Sequence, residues 1–184
     1  MASALAELRD RPFELLQELE RRSRIAASGR GQESGHQEEW VGVGFRVAQT
    51  LLVAARQEVR EVLTWPGVTS LPGAKPWLLG LANVRGQLLP ITDLNVFFGG
   101  EPTSFGRSTR VIMVNHPDVP AGLLVDEVRG FRRFVASEKI ESLPEPMPGM
   151  LPFLAGAYAT DTDSWGVLGL HGLVESSVFL QAAR

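Results

Sequence analysis

Two segments of this chain occur twice, in the same order, and that repetition limits what it can fold into. Glu58-Val59-Arg60 returns as Glu127-Val128-Arg129, 127 − 58 = 69 residues later. Pro76-Trp77-Leu78-Leu79-Gly80 returns in outline as Pro152-Phe153-Leu154-Ala155-Gly156, 156 − 80 = 76 residues later. A hairpin precedes each E-V-R. In the first copy Trp40 to Phe45 alternates like a strand, Arg46 to Gln49 connects, and Thr50 to Ala54 returns. In the second, Arg110 to Val114 and Ala121 to Val125 flank the turn Asn115 to Pro120. From Glu58 to Leu63 the spacing of Val59, Val62 and Leu63 predicts a helical turn. Neither copy holds enough strands to bury a large core alone. The repeat therefore predicts two similar β lobes, packed together and sharing apolar residues.

The best-defined stretch is Pro76 to Leu94. Trp77, Leu79 and Leu81 alternate as a strand, Asn83 to Gly86 has turn composition, and Leu88 to Ile91 forms the return strand. The adjacent Leu88 and Leu89 predict burial on both faces, and Pro90 predicts an edge or a bulge. Asp93 stands where a helix N-cap belongs. Arg85 stands on the turn.

Beyond the repeats, residues 1–39 form a candidate N-terminal segment and 40–184 the globular domain. Asp10 to Ile25 reads as an amphipathic helix with Phe13, Leu15, Leu16 and Leu19 on one stripe. It either packs on its own body or docks a partner. Residues 26–39 have linker composition. Glu101 to Ser108 is a polar loop, Phe131 to Val135 a short strand, and Ser137 a candidate turn cap. Glu141 to Phe153 is an irregular connection, and Ala157 to Ala159 and Gly166 to Leu170 are further strands.

Composition narrows the function classes. There is no cysteine, which removes disulfides, thiolate nucleophiles and cysteine-ligated zinc. The formal net charge of −3 offers no electrostatic case for nucleic acid. No signal-peptide pattern and no bilayer-length apolar run is visible, so a cytoplasmic location without membrane insertion is expected. His36 lies in the linker, His116 in a turn, and His171 stands alone; none has metal-ligand spacing. Asp161-Thr162-Asp163 opens like a calcium loop but has Gly172 where the bidentate glutamate belongs. Gly42-Val43-Gly44 lacks the third glycine of a dinucleotide fingerprint. No phosphate loop or nucleophile elbow is present. Arg129, Arg132 and Arg133, interleaved with Phe131 and Phe134, read as a strand with its aromatics turned inward and its arginines turned to water in preference to a nucleic-acid face. Arg85 and Glu58 read equally as solvated charges or as polar anchors at a protein–protein contact. Neither a catalytic constellation nor a cofactor or metal site is expected.

Gly80-Leu81-Ala82-Asn83-Val84-Arg85-Gly86-Gln87-Leu88-Leu89-Pro90-Ile91-Thr92-Asp93-Leu94 resembles the hallmark of the CheW family of chemotaxis coupling proteins. The resemblance extends from about Trp40 to Phe179 and includes Gln57-Glu58-Val59, Thr109 to Ile112 and Gly122 to Val128. With Pro12 to Leu16 and the linker, it narrows to the branch serving twitching motility by type IV pili. The family resemblance implies a mainly β fold of two five-stranded, SH3-like barrel lobes on a shared core. It implies a non-catalytic adaptor, without cofactor, between a chemoreceptor's cytoplasmic tip and the regulatory domain of a CheA-type histidine kinase. It places Glu58, Gly80, Arg85 and Val128 on the receptor contact. Arg56 and Arg110 depart from residues that are often aliphatic there, and His171-Gly172 stands where an Asp-Leu pair is common. The rival expectation is a β-barrel module binding nucleic acid or a small ligand.

Overall fold

The computed structural model describes residues 39–182. The expected helix at 10–25 and linker at 26–39 fall, save for Glu39, outside the described residues. The rest is mainly β, in two mixed sheets. The strands in chain order are β1 (Trp40–Val47), β2 (Thr50–Ala55), β3 (Val59–Leu63), β4 (Leu78–Val84), β5 (Gln87–Asp93), β6 (Arg110–Val114), β7 (Gly122–Val125), β8 (Glu127–Phe134), β9 (Lys139–Ile140), β10 (Leu154–Ala159) and β11 (Ser164–Leu168). Two short α-helices follow strands, α1 (Leu94–Phe97) and α2 (Leu170–Glu175), and a third, α3 (Ser177–Leu180), follows α2. No helix among the described residues is long and apolar enough to cross a membrane.

The repeat is structural, and its copies exchange their hairpins. One sheet has the order β8-β1-β2-β11-β10-β9 and the other β3-β6-β7-β5-β4. If β1, β2, β3, β4, β5 are matched to β6, β7, β8, β10, β11, the second order becomes the first, with only the two-residue β9 left over. Each lobe is therefore built from both copies. The first copy's hairpin completes the second copy's sheet, and the reverse. Parallel pairs lie at equivalent places, β2 with β11 and β5 with β7.

The bulges match too. The ladder skips Arg60 between Val59 and Glu61, and Arg129 between Val128 and Gly130. It skips Leu79 and Ala155 in β4 and β10. The expected helical turn at Glu58 to Leu63 is thus a strand. A bulge inserts one residue, so Val59 and Val62 share a face although they are three apart. That three-residue interval imitates helical spacing.

Each sheet rolls back on itself. In a flat sheet β8 and β10 would lie four spacings of about 4.8 Å apart, roughly 19 Å. Yet Phe134 of β8 stacks on Tyr158 of β10 with ring centroids 4.7 Å apart. In the other lobe Leu63 and Val84, from opposite edges, pack on one cluster around Leu89, Ile91 and Leu124. The main core lies between the lobes, with Phe45, Leu52, Ile112, Leu123, Leu168 and Leu170 fully buried in it. Both hairpins are buried on both faces: Ile112 faces the shared core while Val111 faces its own lobe.

The central stretch behaves largely as expected. Arg85 and Gly86 form a two-residue turn with φ of 52° and 85°, and Asn83 Oδ1 accepts the Gly86 N–H at 2.9 Å. Leu88 corrects the expectation of two-sided burial. It is 64% exposed, because β7 pairs with β5 only from Ile91 onward. Pro90 lies opposite Leu81, whose N–H and C=O both bond to Thr69, so β4 offers Pro90 no hydrogen bond to lose. Glu127 to Phe134 is one strand, where only Phe131 onward was expected, and Leu170 begins a helix instead of ending a strand. Glu138, not Ser137, closes the turn after β8, accepting the Val135 N–H at 2.8 Å.

Asp93 caps α1 and is buried. It accepts from the Asn95 N–H at 2.9 Å, from the Thr103 N–H at 2.9 Å and from the Thr103 hydroxyl at 2.7 Å. Removing a buried acceptor strands all three donors. Asp93→Ala should lower stability by about 2–3 kcal/mol, a fall in Tm of roughly 6–10 °C, read by thermal unfolding.

Candidate functional site

A groove of about 510 Å³ opens on the seam between the lobes. Its sides are β3 and β8, each the end strand of its sheet and each the counterpart of the other in the repeat. Val59 and Val128, both preceding a bulged arginine, face it together with Val43. Val62 and Phe131 stand on the two rims, 40% and 65% exposed. The bulges put Val59 with Val62, and Val128 with Phe131, on the face that opens to the seam. A buried ladder thus continues into an exposed apolar trough.

Arg85 stands at the rim. Its side chain is 77% exposed, and its guanidinium lies 2.8 Å from a carboxylate oxygen of Glu61, which lines the groove. The β4–β5 turn is therefore tied to β3 across the mouth of the rolled sheet. Val128 lies in the groove itself.

Glu58 and Gly80 sit elsewhere. Glu58 Oε2 accepts the Leu170 N–H at 2.8 Å, at the start of α2. Gly169 caps that helix without a side chain, at the place where the first copy has Asp93 (93 + 76 = 169), so Gly169-Leu170, and not the expected His171-Gly172, is the counterpart of Asp93-Leu94. The second copy's missing cap is thus supplied by a carboxylate from the first. Glu58 C=O also accepts the Asn115 N–H at 2.8 Å, which frames one end of the groove. Gly80 is buried with φ of 145°, and a Cβ there would come within 2.2 Å of the Thr69 carbonyl oxygen. It lets the 64–77 connection bridge to Leu81.

The other candidates resolve as follows. Arg129 lies 3.5 Å from Glu127, Arg133 lies 3.5 Å from Glu39, and Arg132 lies 5.0 Å over the Trp165 ring. That group does not form a free cationic face, and its sides are not divided as expected: Phe131 is exposed, while Arg132 turns in over the buried Trp165. Arg110 turns back to the Arg107 and Thr109 carbonyls, whereas Arg56 lines the groove. Thr160 and Asp163 close a tight turn on each other, with backbone and side-chain bonds. His171, alone in sequence, meets His116 in space with ring centroids 5.1 Å apart. His116 Nδ1 accepts the Asp118 and Val119 N–H groups, so its proton sits on Nε2, which donates to Glu175 at 2.9 Å. No group of three or more metal-ligating side chains occurs among the described residues. Sequence reading missed Val59, Val62 and Phe131 as groove residues. The E-V-R repeat pointed to Val59 once Val128 was named.

Gly80→Ala should cost more than about 3 kcal/mol, since a positive φ and a backbone clash combine. Glu58→Ala should cost about 1–2 kcal/mol through the lost cap, and Glu58→Gln less. Urea unfolding of the three variants checks the order.

Residues 41–178 match the family model described as CheW-like domain. The chain is 41% identical over 172 residues to Protein PilI of Pseudomonas aeruginosa, covering 94% of this chain and 96% of that one. It is 32% identical over 88 residues to Chemotaxis protein CheW of Bacillus subtilis, covering 48% and 56%. Among solved structures, that of scaffolding protein TtCheW from Thermoanaerobacter tengcongensis matches with a TM-score of 0.66 at 25% identity, covering 79% of this chain and 99% of that one. The interlocked β lobes, the matched family model and a relative aligned along nearly its whole length agree: this chain belongs to the CheW-like family of chemotaxis coupling scaffolds.

Proposed function

We propose that this protein is a non-catalytic adaptor that couples a chemoreceptor to a CheA-type histidine kinase in the control of twitching motility. Its groove takes the apolar face of a helix from the receptor's cytoplasmic tip. The observation that carries this reading is the apolar groove, its half-buried valine floor flanked by the exposed Val62 and Phe131 and held between two equivalent edge strands. Of Glu58, Gly80, Arg85 and Val128, the receptor meets Val128 and Arg85, while Glu58 and Gly80 act from behind them. Val128 is the floor and Arg85 the rim contact. Glu58 and Gly80 hold the backbone that frames them.

The kinase's regulatory domain engages one end of a lobe, so receptor and kinase are held in fixed relation. A receptor shift then biases the kinase between states without chemistry from this chain. Coupling resides in residues 40–184, with 1–39 as a separate segment, and the protein works in the cytoplasm at membrane-bound receptor arrays. Similarity to PilI supports the twitching output, and similarity to CheW proteins supports the two partners.

Arg85→Glu puts a carboxylate where Glu61 now has its cation. An exposed ion pair is worth about 0–1 kcal/mol, so Tm should move by less than about 4 °C. Receptor pull-down by the folded variant should fall at least about tenfold, and receptor-dependent kinase activity should fall with it. Retention of both by the folded variant would sink this assignment of the site.

A further inference from the structure

The rims of the groove are not neutral. Glu61 is matched by Arg85 at 2.8 Å. Arg56 and Arg60 also line the groove, and no carboxylate among the described residues pairs with either within 4.0 Å. A chain of net charge −3 thus presents a locally cationic trough.

Arg56 is also placed. It opens the short 3-10 turn Arg56–Glu58 that leads into β3, on one side of the seam. Its guanidinium carbon lies 5.9 Å from the centroid of Phe131, which belongs to β8 on the other side. The cation therefore reaches over the mouth and rests on an exposed ring. A guanidinium held beside an aromatic ring by its charge still has N–H groups to give a carboxylate, and the two contacts do not compete. Arg110, the other unusual arginine, has its guanidinium on backbone carbonyls instead.

We infer that Arg56, seated on Phe131, is a specificity residue of the groove, selecting an amphipathic partner helix that carries a carboxylate one turn from the apolar residue filling the floor at Val59 and Val128. The carboxylate takes two N–H groups from the fork, while the helix's apolar side chain displaces water from the trough. A helix with lysine at that place meets Arg56 and Arg60 together and is rejected by like charge. The inference rests on the groove being the helix site proposed above.

The test uses the full chain, isotopically labelled, and two hydrocarbon-stapled 18-residue helical peptides. Both share one apolar stripe, and they differ only in glutamate or lysine one turn from its centre. Binding is read by amide chemical-shift titration at low and at moderate salt. The glutamate peptide should bind at least about tenfold tighter than the lysine peptide, with the gap narrowing at higher salt. Arg56→Leu should bring the two within about twofold, Arg56→Glu should reverse their order, and Phe131→Ala, which also removes apolar rim surface, should weaken both peptides but the glutamate peptide more, narrowing the gap. Arg56 is exposed, so these variants should keep the wild-type spectrum away from the groove. Equal binding of both peptides by the wild type, with shifts at Val59 and Val128, would overturn the role of Arg56 and leave the helix site standing. No shift at the groove with either peptide would overturn the helix site and the inference with it.

Discussion

Both central hairpins, β1–β2 and β6–β7, carry apolar side chains on both faces, and a strand pair of that kind needs cover on each side. Phe45, Leu52 and Ala54 face the shared core, while Val53 on the same hairpin packs with Phe134 and Trp165 in its own lobe. Ile112 and Leu123 face the shared core, while Val111 and Leu124 pack inside the lobe of their own sheet. Exchange of hairpins between copies meets both demands at once. Each hairpin closes the partner copy's sheet, and its outer face becomes half of the wall between lobes. The lobes cannot separate without exposing that wall, so the position of β3 against β8 is set by the same burial that holds the fold together. The groove is rigid for that reason.

The copies have diverged where the seam meets other elements. The first copy caps its helix with Asp93, which is buried in a network running through Thr103 and Asn95 to Asp126. The second has Gly169 there and borrows Glu58 from the first. The first copy's β4–β5 turn has two residues and carries Arg85. The second copy's turn spans Thr160 to Asp163 and has no arginine. A site formed by equivalent strands would read the same from either end. These substitutions give it direction, with Arg85 and Glu61 at one position and Arg56 over Phe131 at another.

Much of this was legible in the residues. The E-V-R and aromatic-x-x-Gly repeats identified equivalent strands, and the Pro76 to Leu94 stretch predicted its hairpin, turn and cap. Three things were not legible, each for a physical reason. The bulge after Val59 converted a two-residue period into a three-residue one, and the strand read as a helix. Leu88 looked buried because its neighbour Leu89 is; where the neighbouring strand begins is a matter of register that one sequence does not display. The hairpin exchange was invisible because either pairing, within copies or between them, satisfies the same apolar pattern. Glu58 illustrates a further limit. Its partner lies 112 residues away in sequence, so nothing local marks it as a helix cap.

The two edge strands at the seam raise the question of why a partner should come as a helix and not as another strand. An edge offers unpaired N–H and C=O groups and invites backbone pairing. Here both edges are spoiled for it. Arg60 and Arg129 are bulged out of register at equivalent places, and Gly130 follows with φ of 74°. Charged side chains crowd both strands: Arg60 and Glu61 on one, Glu127, Arg129, Arg132 and Arg133 on the other. A third strand would find an irregular ladder flanked by guanidinium groups. What stays available is the side-chain surface that those bulges turn toward the seam, namely two valines below and a valine and a phenylalanine above. A trough of that composition matches one stripe of an amphipathic helix, whose own backbone is already satisfied and asks nothing of the edges.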